Sequence, residues 1–362
     1  MTITDPVASE LVPPASSEVL VPSAAYVLST APEGSAEWHE ARRDGLGGSD
    51  VAAALGLDRY SSPLKLYLEK TGGMPPLPPD AELEEAAEFG HALQDVIADR
   101  WAKRTGCTWY RSPGTLANRE QPWMRVNVDG IVFEPDGTRG VLEIKNRSAY
   151  QRAEWEEGVP AEPAVQAYWG MAVTGLRVAH VAALVGGNKL LCHRLEWDDE
   201  IIANLVMLAS NFWHNHVLAG VEPPVDGSKA TEELLVLLHG VTPDKVVTAD
   251  PDEVKPLLAR YRELTAEKKK VEAELRAVTN RLRHLAGDGE VVVGDDGSQP
   301  LFTLKANGVF ASKRFATAHP DLAEEYQTLV PTLDRQRLAE DHPELYAQFR
   351  ARVLRVPGEE ER

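Results

Sequence analysis

Two short runs constrain this chain more than anything else in it: RVNVDGIVF, residues 125–133, and GVLEIK, residues 140–145. Apolar positions alternate in both, and Asp136-Gly137 lies between them, so the pair reads as a β-hairpin. Centring the turn on that dipeptide pairs positions whose numbers sum to about 273 or 274. Asp129 then lies opposite Ile144 or Lys145. Glu143 and Lys145 are two apart and share a face. Leu142 and Ile144 point to the other face, as do Val126, Val128 and Val132 on the partner strand. Three ionisable groups therefore converge on one side of a hairpin whose reverse is core-like.

Two carboxylates beside a lysine suit Mg²⁺, a hard cation that prefers oxygen ligands and keeps several waters; Mn²⁺ is a possible substitute. Asp129 and Glu143 are the expected ligands, and the main-chain carbonyl of Ile144 can complete the set. Such an ion polarises a phosphodiester and lowers the pKa of an attacking water. Lys145 would orient that water or stabilise charge developing at phosphorus. The plain alternative is a solvated hairpin face with a cross-strand Asp–Lys pair. Ser49, expected to open a helix over Asp50–Leu55, and Arg42 seven positions earlier make a phosphate site in prospect, against the commoner use of serine as a simple cap. Gln166 lies on the expected helix over Pro163–Thr174 and can reach the same hairpin face, or else flank the core.

Charge argues the other way. Lys and Arg number 38 against 56 Asp and Glu, a net charge of −18, opposite to the usual footprint of a nucleic-acid binder. The acidity is uneven: residues 1–40 hold six acids and no lysine or arginine, whereas Arg100–Arg119 hold five basic residues and no acid. A basic groove, if present, is local. Two cysteines, Cys107 and Cys192, exclude a disulfide framework and a four-thiolate zinc or iron–sulfur centre, and they fit a reducing cytoplasm. The opening MTITDPVASELVPPASSEVL lacks the basic and continuously apolar parts of a secretory signal. No apolar run approaches the roughly 20 residues that span a bilayer, so no membrane partner is expected.

Along the chain, residues 1–34 read as a disordered arm, residues 35–222 as the principal domain and residues 223–362 as an extension. Helices are expected over Ser61 or Ser62 to Lys70, over Glu82–Arg104 with Phe89, Leu93, Val96, Ile97 and Trp101 on one face, and over Ile201–Ala219. MPPLPPD is a loop. Strands are expected over Val178–Val185 and Leu190–Leu195. In the extension, Asp252–Ala286 is an amphipathic helix able to form a hairpin or coiled-coil arm. A second hairpin surrounds Asp295-Asp296-Gly297, and the tail from Asp321 is helical. Trp213-His214-Asn215-His216 suggests a zinc or HNH site, yet its surroundings are simply helical and no acidic or cysteine partners stand at ligand spacing. Lys268-Lys269-Lys270 reads as a solvated helix face.

The order Trp38…Arg42, Gly47-Gly48-Ser49-Asp50 before Leu55-Gly56, Gly90-His91-Ala92-Leu93, Val128-Asp129-Gly130, Leu142-Glu143-Ile144-Lys145, then Gln166-Ala167-Tyr168 before Val173-Thr174-Gly175 resembles the YqaJ-type viral recombinase family. These are relatives of lambda exonuclease among the PD-(D/E)XK nucleases. The likeness runs from about Trp38 to Leu218, with FTLK and AHPDLAEEYQTLV extending it. It implies an α/β fold with a central mixed sheet flanked by helices and Mg²⁺-dependent, 5′-to-3′ exonuclease action on ends of double-stranded DNA. It further implies recombination with a single-strand annealing protein of the RecT/Red-beta type and, in some relatives, a toroidal trimer. A phage or prophage origin in a bacterial cytoplasm is in keeping. By this likeness Asp129 and Glu143 bind metal, Lys145 is catalytic, Gln166 is an active-site glutamine, and Arg42 and Ser49 contact a 5′-phosphate. One departure stands out. The family usually carries a glutamate where this chain has Gln94, with Asp95 and His91 as the nearest possible substitutes. The competing readings are an endonuclease on the same fold, which would nick closed circular DNA, and an inactive binding or assembly protein.

Overall fold

The computed structural model describes residues 20–75, 81–239, 245–295, 297, 299–328, 332–350 and 356. The chain forms two units, Met1–His239 and Gly240–Arg362.

The first unit begins with β1 (Ala25–Ser29), inside the stretch expected to be a disordered arm. Ala25 is fully buried, and β1 pairs antiparallel with β3 (Thr115–Asn118), so residues 25–29 belong to the fold and not to a disordered arm. Sequence pattern missed it because five mixed residues between prolines show no usable period. Helices α1 (Ala36–Arg43), α2 (Gly48–Ala54) and α3 (Pro63–Thr71) follow. α3 has the expected punctuation: Ser62 accepts the Lys65 N–H, Pro63 opens the helix and Gly72 closes it. α2 does not begin as expected. Gly47 is its N-cap, Asp50 accepts the Gly47 N–H, and Ser49 lies inside the first turn rather than capping it. The MPPLPPD loop falls largely on residues 76–80, outside the described residues.

Helix α4 (Ala81–Thr105) packs under a five-stranded mixed sheet in the order β2 (Thr108–Arg111), β5 (Gly130–Phe133), β6 (Arg139–Arg147), β7 (Val178–Val185) and β8 (Lys189–Glu196). All neighbours are antiparallel except β6 and β7. Their parallel crossover carries α5 (Arg152–Glu157) and α6 (Ala161–Thr174), which cover the sheet's other face. Each sheet face thus has its own core. Val132, Leu142, Ile144 and Ala182 meet Ile97, Ala98 and Trp101 of α4, while Ile131, Val141 and Val181 meet Trp155, Trp169, Met171 and Val173. Fully buried side chains of this size each contribute about 1.5–3 kcal/mol. Phe89 and Val96 of α4, expected on its packed face, are exposed, 55% and 53%.

The hairpin forms in a different register from the one expected. Gly130 pairs with Leu142 and Phe133 with Arg139. The Glu134 N–H reaches the Thr138 carbonyl at 2.8 Å and the Gly137 N–H the Glu134 carbonyl at 2.9 Å, so the loop has three residues, Pro135-Asp136-Gly137, not two. Gly137 sits at φ 88°, the left-handed third position that such a loop demands. Continued by one step, this register sets Asp129 opposite Glu143, neither Ile144 nor Lys145. RVNVDGIVF is also not one strand. β4 (Arg125–Val126) pairs with β3 in a separate three-stranded sheet, and the chain bends before β5. In consequence Val126 and Val128 pack in the core of the opposite face from Leu142 and Ile144. The carboxylates and lysine lie on a partly covered face, where the core ends at a cleft.

Helix α7 (Asp199–Phe212) runs into a π-helical turn, Trp213–Leu218. Helix α8 (Lys229–Leu238) buries Ala230, Thr231 and Leu234, so the unit extends past residue 222 to His239. Among its described residues the second unit holds α9 (Pro251–Ala286), the β-hairpin of β9 (Val291–Val293) and β10 (Pro300–Thr303), and four short helices, α10 (Ser312–Ala318), α11 (Pro320–Glu325), α12 (Arg335–Asp341) and α13 (Pro343–Gln348). Asp296, in the expected turn of that hairpin, lies outside the described residues. Among the described residues no helix is long and apolar enough to cross a membrane.

Candidate active site

Strand β6 carries Glu143 and Lys145 on one face because they are two residues apart. Asp129 is held opposite by the last rung of the hairpin, its N–H reaching the Leu142 carbonyl at 3.1 Å. One Asp129 carboxylate oxygen accepts the Ile144 N–H at 2.5 Å, and the other accepts the Gln94 side-chain amide from α4. The N–H and C=O of one strand residue project to the same edge. The Ile144 carbonyl therefore emerges on the Asp129 side as well. The Lys145 ammonium pairs with Glu143 and donates to Gln166 Oε1 at 2.6 Å. Gln166 Nε2 donates to Glu162 Oε1 at 2.9 Å, and Arg147 stands 3.6 Å from Glu162. The Gln166 amide thus has a cation on its oxygen and a carboxylate on its nitrogen, which fixes its orientation.

Burial, then the charge of Glu143, pushes the Asp129 carboxyl up to about 7, against the pull of Lys145 and of its two hydrogen bonds. Burial alone would lower the Lys145 ammonium, but the Glu143 and Asp129 carboxylates overcome it and hold it above its ordinary value. Two enclosed carboxylates with one lysine leave a negative charge that costs energy unless a proton or cation joins them. That is the electrostatic condition of a cation site. Among the described residues no group of three or more His, Cys, Asp or Glu side chains gathers as a metal cage. Two carboxylates, a backbone carbonyl and water are the donor set of a hard ion such as Mg²⁺ rather than of zinc.

The same cleft, about 450 Å³, is lined on its far wall by Arg42, Gly47, Gly48 and Ser49. Arg42 donates to Ser49 Oγ at 3.0 Å, lies 3.4 Å from Asp50 and covers the Trp38 ring at 4.5 Å. Lys70 reaches Asp50 at 2.7 Å and the Arg42 carbonyl at 2.9 Å. Although burial would raise the Asp50 carboxyl, Lys70 and Arg42 hold it below its usual range. Asp50 is therefore a buried anion that pins both cations. A Cβ on Gly48 would stand 3.4 Å from the Gln166 Cα, so α2 and α6 approach closely there and bring the two walls together.

Asp129, Glu143, Lys145, Gln166, Gln94, Arg42 and Ser49 all line this one cleft. His91 and Asp95 do not. His91 lies 3.4 Å from Glu33 with 59% of its side chain exposed, and Asp95 pairs with Arg111; Glu33 and Arg111 line the cleft, but His91 and Asp95 stand behind them. The place of Gln94 is now physical: its amide holds Asp129, while Arg111 stands 3.4 Å from its oxygen. In Trp213-His214-Asn215-His216 the tryptophan is buried, His214 and Asn215 are exposed and His216 is half-buried. His214 bonds to Ser210 and meets the Trp123 ring edge-on, and His216 bonds to the Val221 carbonyl. Sequence reasoning missed Asp50 and Lys70: Asp50 supports Arg42 from eight residues on, and Lys70 reaches Asp50 across 20 residues and Arg42 across 28, with no local pattern. It also missed Glu162, although that residue stands four before Gln166 on one helix, a spacing that could have revealed it.

The cleft of the mixed sheet thus gathers an aspartate and E-x-K from the hairpin and a glutamine from the crossover helix, the arrangement expected of the PD-(D/E)XK class from the order of the motifs. Comparison with known proteins narrows this. Residues 37–177 match the YqaJ-like viral recombinase domain. The YqaJ protein of Bacillus subtilis (strain 168) is 32% identical over 257 residues, spanning 70% of this chain and 79% of that one. The chain belongs to the YqaJ-like viral recombinase family. Among solved structures, the alkaline exonuclease LHK-Exo of Laribacter hongkongensis is 22% identical, with a TM-score of 0.43 over 52% of this chain and 95% of its own. The same enzyme in complex with dAMP gives 0.42 over the same shares.

Proposed function

We propose that this chain is a divalent-metal-dependent deoxyribonuclease that resects the ends of linear double-stranded DNA, 5′ to 3′, for recombination by single-strand annealing. The observation that carries the reading is the convergence of Asp129, Glu143 and Lys145 in a cleft whose opposite wall presents Arg42 and Ser49. Asp129, Glu143 and the Ile144 carbonyl would hold the ion, which when bound supplies Lewis-acid polarisation of the phosphate and a more acidic water. Mg²⁺ fits the oxygen donors best. Lys145, aimed by Gln166, orients the attacking water and offsets charge building on the phosphoryl oxygens. Arg42, held against Trp38 and Asp50, and the Ser49 hydroxyl take the terminal 5′-phosphate through charge-assisted bonds. Gln94 orients Asp129 and adds no charge, which favours a single ion. The DNA contact is local, in keeping with the chain's net charge of −18. An annealing protein is the expected partner because a resected end is its substrate.

The test is digestion of a 5′-phosphorylated linear duplex with and without Mg²⁺, beside a 5′-hydroxyl duplex and a covalently closed circle. The linear duplex is degraded only with the metal, and the circle survives. Lys145→Ala lowers the rate about 10²–10³-fold. Arg42→Ala erases the preference for the phosphorylated end. Nicking of the circle would make the protein an endonuclease. Equal activity of Lys145→Ala would remove the site.

A further inference from the structure

Helix α9 carries an apolar stripe that no described residue covers. Positions 257, 261, 264, 268, 271, 275, 278, 282 and 285 follow one another in unbroken steps of four and three. Eight of them are Leu, Val or Tyr; the ninth is Lys268. Those eight are 39–70% exposed, and α9 buries no residue at all. Single exposed apolar residues need no explanation, but a continuous stripe four heptads long does. A strict seven-residue repeat drifts around a straight helix, so only another helix coiling about it can stay on the stripe. The other described helices of this unit have six or seven residues and are too short to cover it.

We propose that α9 pairs antiparallel with the α9 of a second copy of this chain, as a two-stranded coiled coil. The sequence of the stripe selects both the partner and the direction. In a parallel pair Lys268 meets Lys268 in the core, and the acids of the first turn, Asp252 and Glu253, lie beside each other. Reversing one helix removes both conflicts. Leu257 then packs on Leu282, Tyr261 on Val278, Leu264 on Leu275 and Lys268 on Val271, each layer occurring twice by symmetry. Asp252 and Glu253 come beside Arg281, Arg283 and His284 of the other copy, and the helix dipoles oppose. Lys268, whose ammonium stands 3.9 Å from its own Glu272, lays its stem over Val271 and leaves its charge at the rim. The helix is about 54 Å long at 1.5 Å per residue, enough for eight such layers.

The proposal does not depend on the nuclease reading, and its test does not use activity. Leu264→Cys and Leu275→Cys full-length chains are prepared singly and co-expressed, then oxidised, and the cross-linked peptides are identified by mass spectrometry. A disulfide joining 264 to 275 forms only in the co-expressed sample. A cross-link in either variant alone would mean a parallel pair, and no cross-link in the mixture would mean a different partner; each overturns the proposal. Sedimentation of full-length Leu264→Asp/Leu275→Asp shows half the assembly mass of the unsubstituted chain. Because such a variant can also weaken the helix, Lys268→Leu supplies the opposite sign. It tightens association about tenfold or more, since an apolar residue replaces a lysine in the seam. Unchanged or weaker association in Lys268→Leu overturns the proposal too.

Discussion

Lys145 stands among groups that pull it three ways: Glu143 beside it, Asp129 across the hairpin and Gln166 from the covering helix. One ammonium cannot neutralise two carboxylates, and the consequence falls on Asp129. Its carboxyl, ordinarily at 3.8, is raised to about 7 by burial and by the charge of Glu143. The metal-free folded chain therefore holds a proton there that the unfolded chain releases above about pH 4. Stability from this group is full below that pH and is lost as pH rises through about 7. A divalent ion competes with the same proton, so its affinity climbs about tenfold per pH unit below 7 and then levels. The check is the rise in unfolding temperature on adding MgCl₂, measured at about pH 5.5 and about pH 8. The rise is larger at the higher pH, and Asp129→Asn abolishes the difference.

At the scale of the element, the hairpin register decides whether the site exists. A side-chain period of two means that a slip of one residue moves Asp129 to the opposite face from Glu143 and Lys145. The three-residue loop, with Gly137 at φ 88°, and the pairing of both strands with their outer neighbours hold the register against this. Gly137→Ala puts a Cβ into the left-handed region and costs about 1 kcal/mol. In urea unfolding this appears as a lower midpoint with an unchanged slope, and DNA cleavage is retained because the register still has its β6–β7 and β2–β5 neighbours. A loss of activity out of proportion to stability would show that the loop sets the catalytic geometry more delicately than this.

For the whole molecule, the boundary between the units matters more than the length of either. The cleft lies entirely within Met1–His239, and that unit includes α8, whose Ala230 and Leu234 are buried, 5% and 3% exposed. A chain ending at His239 therefore keeps metal-dependent cleavage. A chain ending at Glu222, where the change in composition suggests a cut, loses α8 and exposes the surface beneath it, at a cost of about 2–5 kcal/mol. Urea titration of the two truncations separates these outcomes, and equal midpoints would mean that α8 adds nothing to the first unit.

By itself, the sequence determined what depends on neighbours along the chain. Ser62, Pro63 and Gly72 delimit α3, the alternation in 125–145 makes a hairpin, and the E-x-K spacing puts Glu143 and Lys145 on one face. The order of its motifs along the chain carries the resemblance to its family. Tertiary structure alone decided what depends on partners far away. Lys70 and Asp50 fasten Arg42, α4 brings Gln94 to Asp129, α6 brings Gln166 to Lys145, and β1 finds its edge on β3. Propensity and periodicity act over a few residues, whereas burial and ion pairing act between surfaces that only the folded chain brings together.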